Sequence, residues 1–196
     1  MKKVVVDVGA ANIAKIEDGV IYYLFEPFEE SYNRLCSRFQ NNDNIKLYNF
    51  AVHDLEGEFD FYVTKKDECC SLLSPNLQNL KIYTDPSRFF VQKVLPVKTR
   101  RLDSIDALKD EEVIDVLKID TQGTTYQVLL SCGELLDKTQ KIVCESEYVE
   151  IYNGEVLDAE IEDFLIKKGF KREANLRDVK WANVKIFCDA VYTRNK

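Results

Sequence analysis

The feature that most constrains this chain is a set of short apolar runs, Val4 to Val8, Val20 to Phe25 and Val113 to Ile119, that lack a regular polar–apolar alternation. A strand with one wet face alternates with a period of two, so runs of this kind read as strands covered on both faces, the pattern of a parallel sheet. Amphipathic stretches lie between them. Phe28, Tyr32, Leu35 and Phe39 recur at helical spacing and share one face. A second helix over about 156–168 turns Ile161, Phe164 and Leu165 inward, carries Lys167 and Lys168 in its last turn and stops at Gly169.

The order of elements reads as a strand at 3–8, a short helix, a strand at 20–25, a helix at 28–40, and strands at 45–50 and 58–63. A polar, aperiodic segment follows over 64–92. Strands at 94–99 and 113–119, a helix at 124–137, a strand at 140–146, the second helix, and closing strands near 170–174 and 183–192 complete the chain. This alternation predicts an α/β, Rossmann-like fold: a mostly parallel, doubly wound sheet of about seven strands with an antiparallel edge. Residues 1–196 are expected to form one domain, with 64–92 a variable loop or lid in which Tyr83, Phe89 and Phe90 either wall a ligand or pack the loop down.

The 34 acidic and 27 basic residues leave a net charge of −7, which opposes general binding to nucleic acid or an anionic membrane. The local cluster Lys98, Arg100 and Arg101 reads either as an anion-binding patch or as a solvated strand end. The six cysteines form no Cys-x-x-Cys pair and have no histidine at zinc-ligand spacing; Cys144 and Cys188 sit in apolar runs as core residues of a reducing compartment. No run reaches the ~18 apolar residues of a membrane span, and the Val4–Val6 run is too short for a signal peptide. A soluble, cytoplasmic protein is expected.

In a doubly wound sheet a ligand sits beyond the carboxyl ends of the strands. The first strand runs into Asp7-Val8-Gly9-Ala10-Ala11-Asn12, where Gly9 permits a tight turn and Ala10 and Ala11 leave room. The second ends Phe25-Glu26-Pro27, and Glu26 is either a ribose-binding acid or an acid at the start of the next helix. The third leads into Asn49-Phe50-Ala51-Val52-His53-Asp54, in which Phe50 or Val52 would flank an adenine, a backbone amide would read its edge, and Ala51 joins the cofactor contacts. His53, the only histidine, reads as a loop residue. The 113–119 strand continues through Lys118-Ile119-Asp120, so Lys118 and Asp120 share a side about 7 Å apart and require partners, each other or a ligand. A cap network around Asp120 and Thr124 is the structural alternative.

The segments Val6-Asp7-Val8-Gly9-Ala10, Phe25-Glu26-Pro27, Arg101-Leu102-Asp103, Leu117-Lys118-Ile119-Asp120-Thr121-Gln122-Gly123, Val128-Leu129-Leu130, Cys144-Glu145 and Lys168-Gly169-Phe170 together resemble the FkbM methyltransferase family, over nearly the whole chain. The resemblance implies a class I methyltransferase fold and S-adenosyl-L-methionine as cofactor. It implies a hydroxyl acceptor on a sugar or other small molecule. By it Asp7, Gly9, Ala10 and Asn12 shape the methionine pocket, Glu26 holds the ribose, Asp120 sits near sulfonium and substrate, and Glu145 faces the substrate side. Ser71 matches a family serine loosely. The sequence departs from the pattern in lacking a further glycine after Asn12, in having Thr124-Thr125 where a small residue and an acid are usual, and in its short Asp7-to-Phe25 interval, which shrinks the first helix to about two turns.

These implications make Asp120 the first candidate to orient or deprotonate a hydroxyl, Glu145 the second, and Lys118 a modulator of local charge. Asp120, Glu145 and Glu147 are a weak set for Mg²⁺, and no metal is expected. Two other readings stand beside this one. A non-catalytic methyltransferase-fold module would tolerate the shortened first helix, and a nicotinamide-dependent oxidoreductase would use Glu26 but lacks the Gly-x-Gly-x-x-Gly turn.

Overall fold

The computed structural model describes residues 2–13, 16–82, 85–181 and 183–195. Its strands are β1 (Val4–Val8), β2 (Ile21–Phe25), β3 (Ile45–Tyr48), β4 (Ala51–Val52), β5 (Gly57–Thr64), β6 (Val91–Arg100), β7 (Val116–Ile119), β8 (Lys141–Glu147), β9 (Phe170–Trp181) and β10 (Val184–Arg194). The helices are α1 (Glu29–Phe39), α2 (Asp106–Lys109), α3 (Thr125–Ser131), α4 (Leu135–Lys138) and α5 (Asp158–Lys167).

Seven strands form one sheet in the order β3-β2-β1-β7-β8-β10-β9, parallel as far as β8 and antiparallel across β10 and β9. The doubly wound, mostly parallel sheet expected from the apolar runs is therefore the main sheet. Both faces are covered, as those runs require. Tyr22 and Leu24 turn to one side with Val20, Leu35 and Phe39 beneath α1; Tyr23 and Phe25 turn to the other, where Val6, Val8, Leu117, Ile119, Ile142, Val128, Leu129 and Leu165 form the larger core. Each such side chain contributes roughly 1.5–3 kcal/mol of burial.

Three local expectations are corrected. The first helix is a single 3₁₀ turn, Ala10–Asn12, not two turns. Parallel β1 and β2 require the chain to return along about 16 Å of strand, and a helix rising 1.5 Å per residue would consume nearly the whole connection. The 124–137 helix is broken at Gly133 into α3 and α4. Strands β4, β5 and β6 leave the main sheet and form a second one, ordered β4-β6-β5. This small sheet and the turns between β5 and β6 roof the carboxyl ends of the main strands, so 64–92 holds Asp67–Cys69, Asn79–Ile82 and Pro86–Phe89 turns, not an aperiodic loop. Phe89 is buried in it and Phe90 is exposed; Tyr83 lies outside the described residues.

Candidate functional site

The strand order reverses between β1 and β7, and there the segments that follow the two strands touch. The Asp120 amide donates to Val8 O at 2.9 Å and the Gly9 amide to Phe25 O at 3.0 Å. Gly9 has φ +86°, and a Cβ built on it would lie 1.9 Å from Asp120 O, so no side chain fits between these loops. Beside them Glu26, 4% exposed, accepts the Phe28 amide on Oε1 at 2.9 Å, which makes it an acid at the entrance of α1 as well as a wall of the cleft. Burial pushes its carboxyl up to about 7 against the pull of the Phe28 and Ala11 amides.

Gly9, Glu26 and Asp120 line one cavity of about 480 Å³, within the range of small-molecule sites. Phe25, Phe28, Phe50, Ala51, Val52 and Phe61 make its apolar end. Lys118, Asp120, Gln122, Glu145, Glu147 and Arg177 make its polar end. The ribose candidate, the adenine-flanking candidates and both carboxylate candidates thus meet in a single space.

Other sequence candidates are placed elsewhere. Asp7 lies beneath the cavity floor, where strand register sets it opposite Lys118, and Lys118 Nζ donates to its Oδ1 at 2.9 Å. Lys118 therefore pairs across the strands with Asp7, not along its own strand with Asp120. Burial pushes the Asp7 carboxyl up despite this pairing, because its side chain is 4% exposed. Burial opposes the Lys118 charge too, but that side chain is 38% exposed, and Asp7 and Asp120 together hold its ammonium above the usual value. Ala10 is turned by the 3₁₀ turn into the core under α1, away from the cavity. Asn12 closes that turn, and its side chain lies outside what is described. Thr124 makes no helix-capping bond, which removes the cap network proposed around it and Asp120. His53 accepts the Leu55 amide and is buried against Phe59, as a loop residue.

Arg177 and Tyr152 escaped the sequence reading, as did the contacts made by Gln122 and Ser71. Gln122 Nε2 donates to Asp120 Oδ1 at 2.9 Å and to Glu145 Oε1 at 2.6 Å, while its Oε1 accepts Tyr152 OH at 3.0 Å. Arg177, from the exposed edge strand β9, donates to Glu145 Oε2 at 3.2 Å and to Asp189. Ser71 donates to Gln122 O at 2.6 Å, and the single Tyr152 hydroxyl proton is shared between Gln122 Oε1 and Cys69 O, each 3.0 Å away, which ties the roof to the β7 loop. Only the glycine after Gln122 hinted at a tight turn there; nothing local marks Arg177 or Tyr152.

Burial, then repulsion from Asp120 and Asp189, pushes the Glu145 carboxyl up to about 8 against Arg177 and Gln122. Such a carboxylate has the basicity of a proton acceptor near neutral pH. Among the described residues no group of three or more His, Cys, Asp or Glu is arranged to hold a metal ion. The donor set fits an adenosyl sulfonium instead: an aromatic end for a base, the acid Glu26 for a diol, carboxylates for a cation, and a buried, unpartnered Thr121 Oγ1 on the same wall.

A sequence model of the methyltransferase FkbM domain matches residues 7–172. The 2-O-methyltransferase NoeI of Sinorhizobium fredii (strain NBRC 101917 / NGR234) is 26% identical over 162 residues, spanning 78% of this chain and 67% of that protein. The N-terminal domain of EvdMO1, solved with SAH bound, superposes at a TM-score of 0.52 and 10% identity, covering 100% of this chain and 75% of that one. Magnesium protoporphyrin IX methyltransferase from Synechocystis PCC 6803, solved with SAM bound, does so at 0.51 and 9% identity, covering 99% and 70%. At those identities the structural likeness speaks for the fold. With the family match extending from Asp7 at the base of the first strand tip to Arg172 in β9, the chain belongs to the FkbM methyltransferase family and is an S-adenosylmethionine-dependent enzyme.

Proposed function

We propose that this protein transfers a methyl group to a hydroxyl oxygen of a sugar or related glycan acceptor, with Glu145 as proton acceptor and Asp120 as the group that orients the hydroxyl. The observation that carries this reading is the convergence of Gly9, Glu26, Asp120 and Glu145 on one cavity. The name of the relative NoeI, a 2-O-methyltransferase, supports oxygen as the acceptor atom.

S-adenosylmethionine, when bound, supplies an electrophilic methyl group for in-line displacement. The chain's own residues supply the rest. Glu26 would accept the ribose hydroxyls, Phe50 and Val52 would flank the adenine with Ala51 beside them, and the bare Gly9 backbone would admit the amino-acid end. Asp7 and Lys118 hold the floor as an ion pair. Glu145 would take the hydroxyl proton as the C–O bond forms and the methyl–sulfur bond breaks, S-adenosylhomocysteine being the leaving group, and the roof would exclude water. The sequence ranks Asp120 first as base; here we give that role to Glu145, which its burial and raised basicity support.

The protein is further proposed to act as one domain in the cytoplasm, a reading supported by six free cysteines, five of them buried. No helix among the described residues is long and apolar enough to cross a membrane.

Incubation with S-adenosylmethionine and a panel of methyl glycosides tests the function, with S-adenosylhomocysteine release and the methyl ether read by mass spectrometry. Sugar methylation that falls at least about 100-fold in Glu145→Gln is expected. Transfer to nitrogen or carbon only, or full turnover by Glu145→Gln, would overturn it.

A further inference from the structure

Glu145 and Glu147 lie two residues apart on β8 and both line the cavity. The two-residue period puts them on one face, about 7 Å apart along the strand. Glu145 is engaged on both oxygens, by Gln122 and Arg177. Glu147 is not. It is 3% exposed, and its Oε2 has no hydrogen-bond partner. A buried polar oxygen without a donor is costly, and native proteins keep few of them.

The charged groups that act on Glu147 are acids, Glu145 along the strand, Glu155 from the segment before α5 and Asp120 from the β7 tip, and only its own backbone amide pulls the other way. Burial, then repulsion by Glu145 and Glu155, raises its carboxyl well above the usual range. Burial and these neighbouring acids favour the neutral form of Glu147, which both donates and accepts a hydrogen bond. That capacity suits a neutral hydroxyl, which does both in return. Phe187 and Tyr152 line the same end and offer apolar faces to the C–H side of a ring.

Resting on the O-methylation reading above, we infer that Glu147 hydrogen-bonds a second hydroxyl of the acceptor, beside the one that is methylated, so that the substrate class is a vicinal diol on a sugar-like ring. A phenol or an isolated alcohol would leave Glu147 unpaired, and a site built to hydrogen-bond a hydroxyl discriminates against the analogue that lacks it. Glu147 is on this account a specificity residue, distinct from the base.

The test pairs binding with turnover. The full chain saturated with S-adenosylhomocysteine is titrated calorimetrically with the methyl glycosides of fucose, rhamnose and glucose and with their single-deoxy analogues. The same sugars are assayed for methylation, in wild type, Glu147→Leu and Glu147→Gln. Removing the hydroxyl next to the methylated one is expected to weaken binding at least about tenfold in wild type and less than about twofold in Glu147→Leu, as for a lost buried partner. S-adenosylhomocysteine affinity and thermal midpoint report that the variants fold; Glu147→Gln, whose amide still donates and accepts, is expected to keep most of the penalty, and Glu147→Ala serves if Glu147→Leu does not fold. Glycosides methylated with equal deoxy penalties in wild type and in Glu147→Leu or Glu147→Ala would overturn the role of Glu147 while leaving O-methylation standing. Methylation of lone alcohols or phenols, with no glycoside bound or turned over, would overturn the diol; transfer to nitrogen or carbon only would overturn both.

Discussion

Gln122 holds Glu145 by a 2.6 Å hydrogen bond from Nε2 to Oε1, and does so from a left-handed backbone conformation with φ 54°. The strain is tolerated because Ser71 fixes the Gln122 carbonyl and Tyr152 fixes the amide oxygen, which leaves the amide nitrogen facing Asp120 and Glu145. Gln122→Ala is expected to lower kcat by about 10- to 100-fold through loss of this alignment. Affinity for S-adenosylhomocysteine should stay within about twofold, since the contact lies at the polar end. Steady-state kinetics with a glycoside acceptor and a calorimetric titration check the two halves separately.

The pH dependence follows from Glu145. A proton acceptor pushed up to about 8 by burial is mostly protonated below that pH, so kcat/KM should climb through the neutral range and level off above about 8. Arg177→Met removes a cation that favours the ionised form, and should move the rise to higher pH. A pH–rate profile that is flat between about 6 and 9 in both proteins would rule out Glu145 as the base.

Stability carries the same signature with a defined sign. Glu145, Glu147 and Glu155 have raised carboxyls in the folded chain, so the folded state binds protons that the unfolded state releases above the ordinary carboxylate range. The stability due to these protons is present at mildly acid pH and fades as pH rises through the raised values. Urea midpoints of the ligand-free protein should therefore fall between about pH 5.5 and pH 8.5, and the fall should shrink in Glu147→Gln.

Gly9 admits no substitution. An added Cβ would meet Asp120 O at 1.9 Å, and φ +86° is unfavourable for any side chain. Gly9→Ala is expected to cost about 3 kcal/mol or more in urea unfolding and to abolish detectable cofactor-product binding. A well-folded Gly9→Ala protein with unchanged affinity would mean that the β1 and β7 loops do not press together.

The Asp7–Lys118 pair should behave as a floor, not as a catalytic dyad. Lys118→Met strands a buried carboxylate, and about 2 kcal/mol of destabilisation is expected, below the range for fully buried pairs because the lysine is partly solvated. Adding Asp7→Asn should restore most of that loss, as a double-mutant cycle in denaturant would measure.

What the sequence by itself determined was the layer structure and the address of the site. Runs without a regular period mark Val4–Val8 and Ile21–Phe25 as strands buried on both faces, and strand tips are found by counting to their ends, so Gly9, Glu26 and Asp120 were legible one strand at a time. Tertiary structure alone decided how those tips are joined. Register between β1 and β7 gave Lys118 to Asp7, the length of the return to β2 reduced a helix to one turn, and departure of β4, β5 and β6 from the main sheet built the roof. Arg177 reaches Glu145 from 32 positions away and Tyr152 reaches Gln122 from 30. Periodicity records which face of an element is buried; it holds no record of which distant polar group will be pressed against it once the faces close.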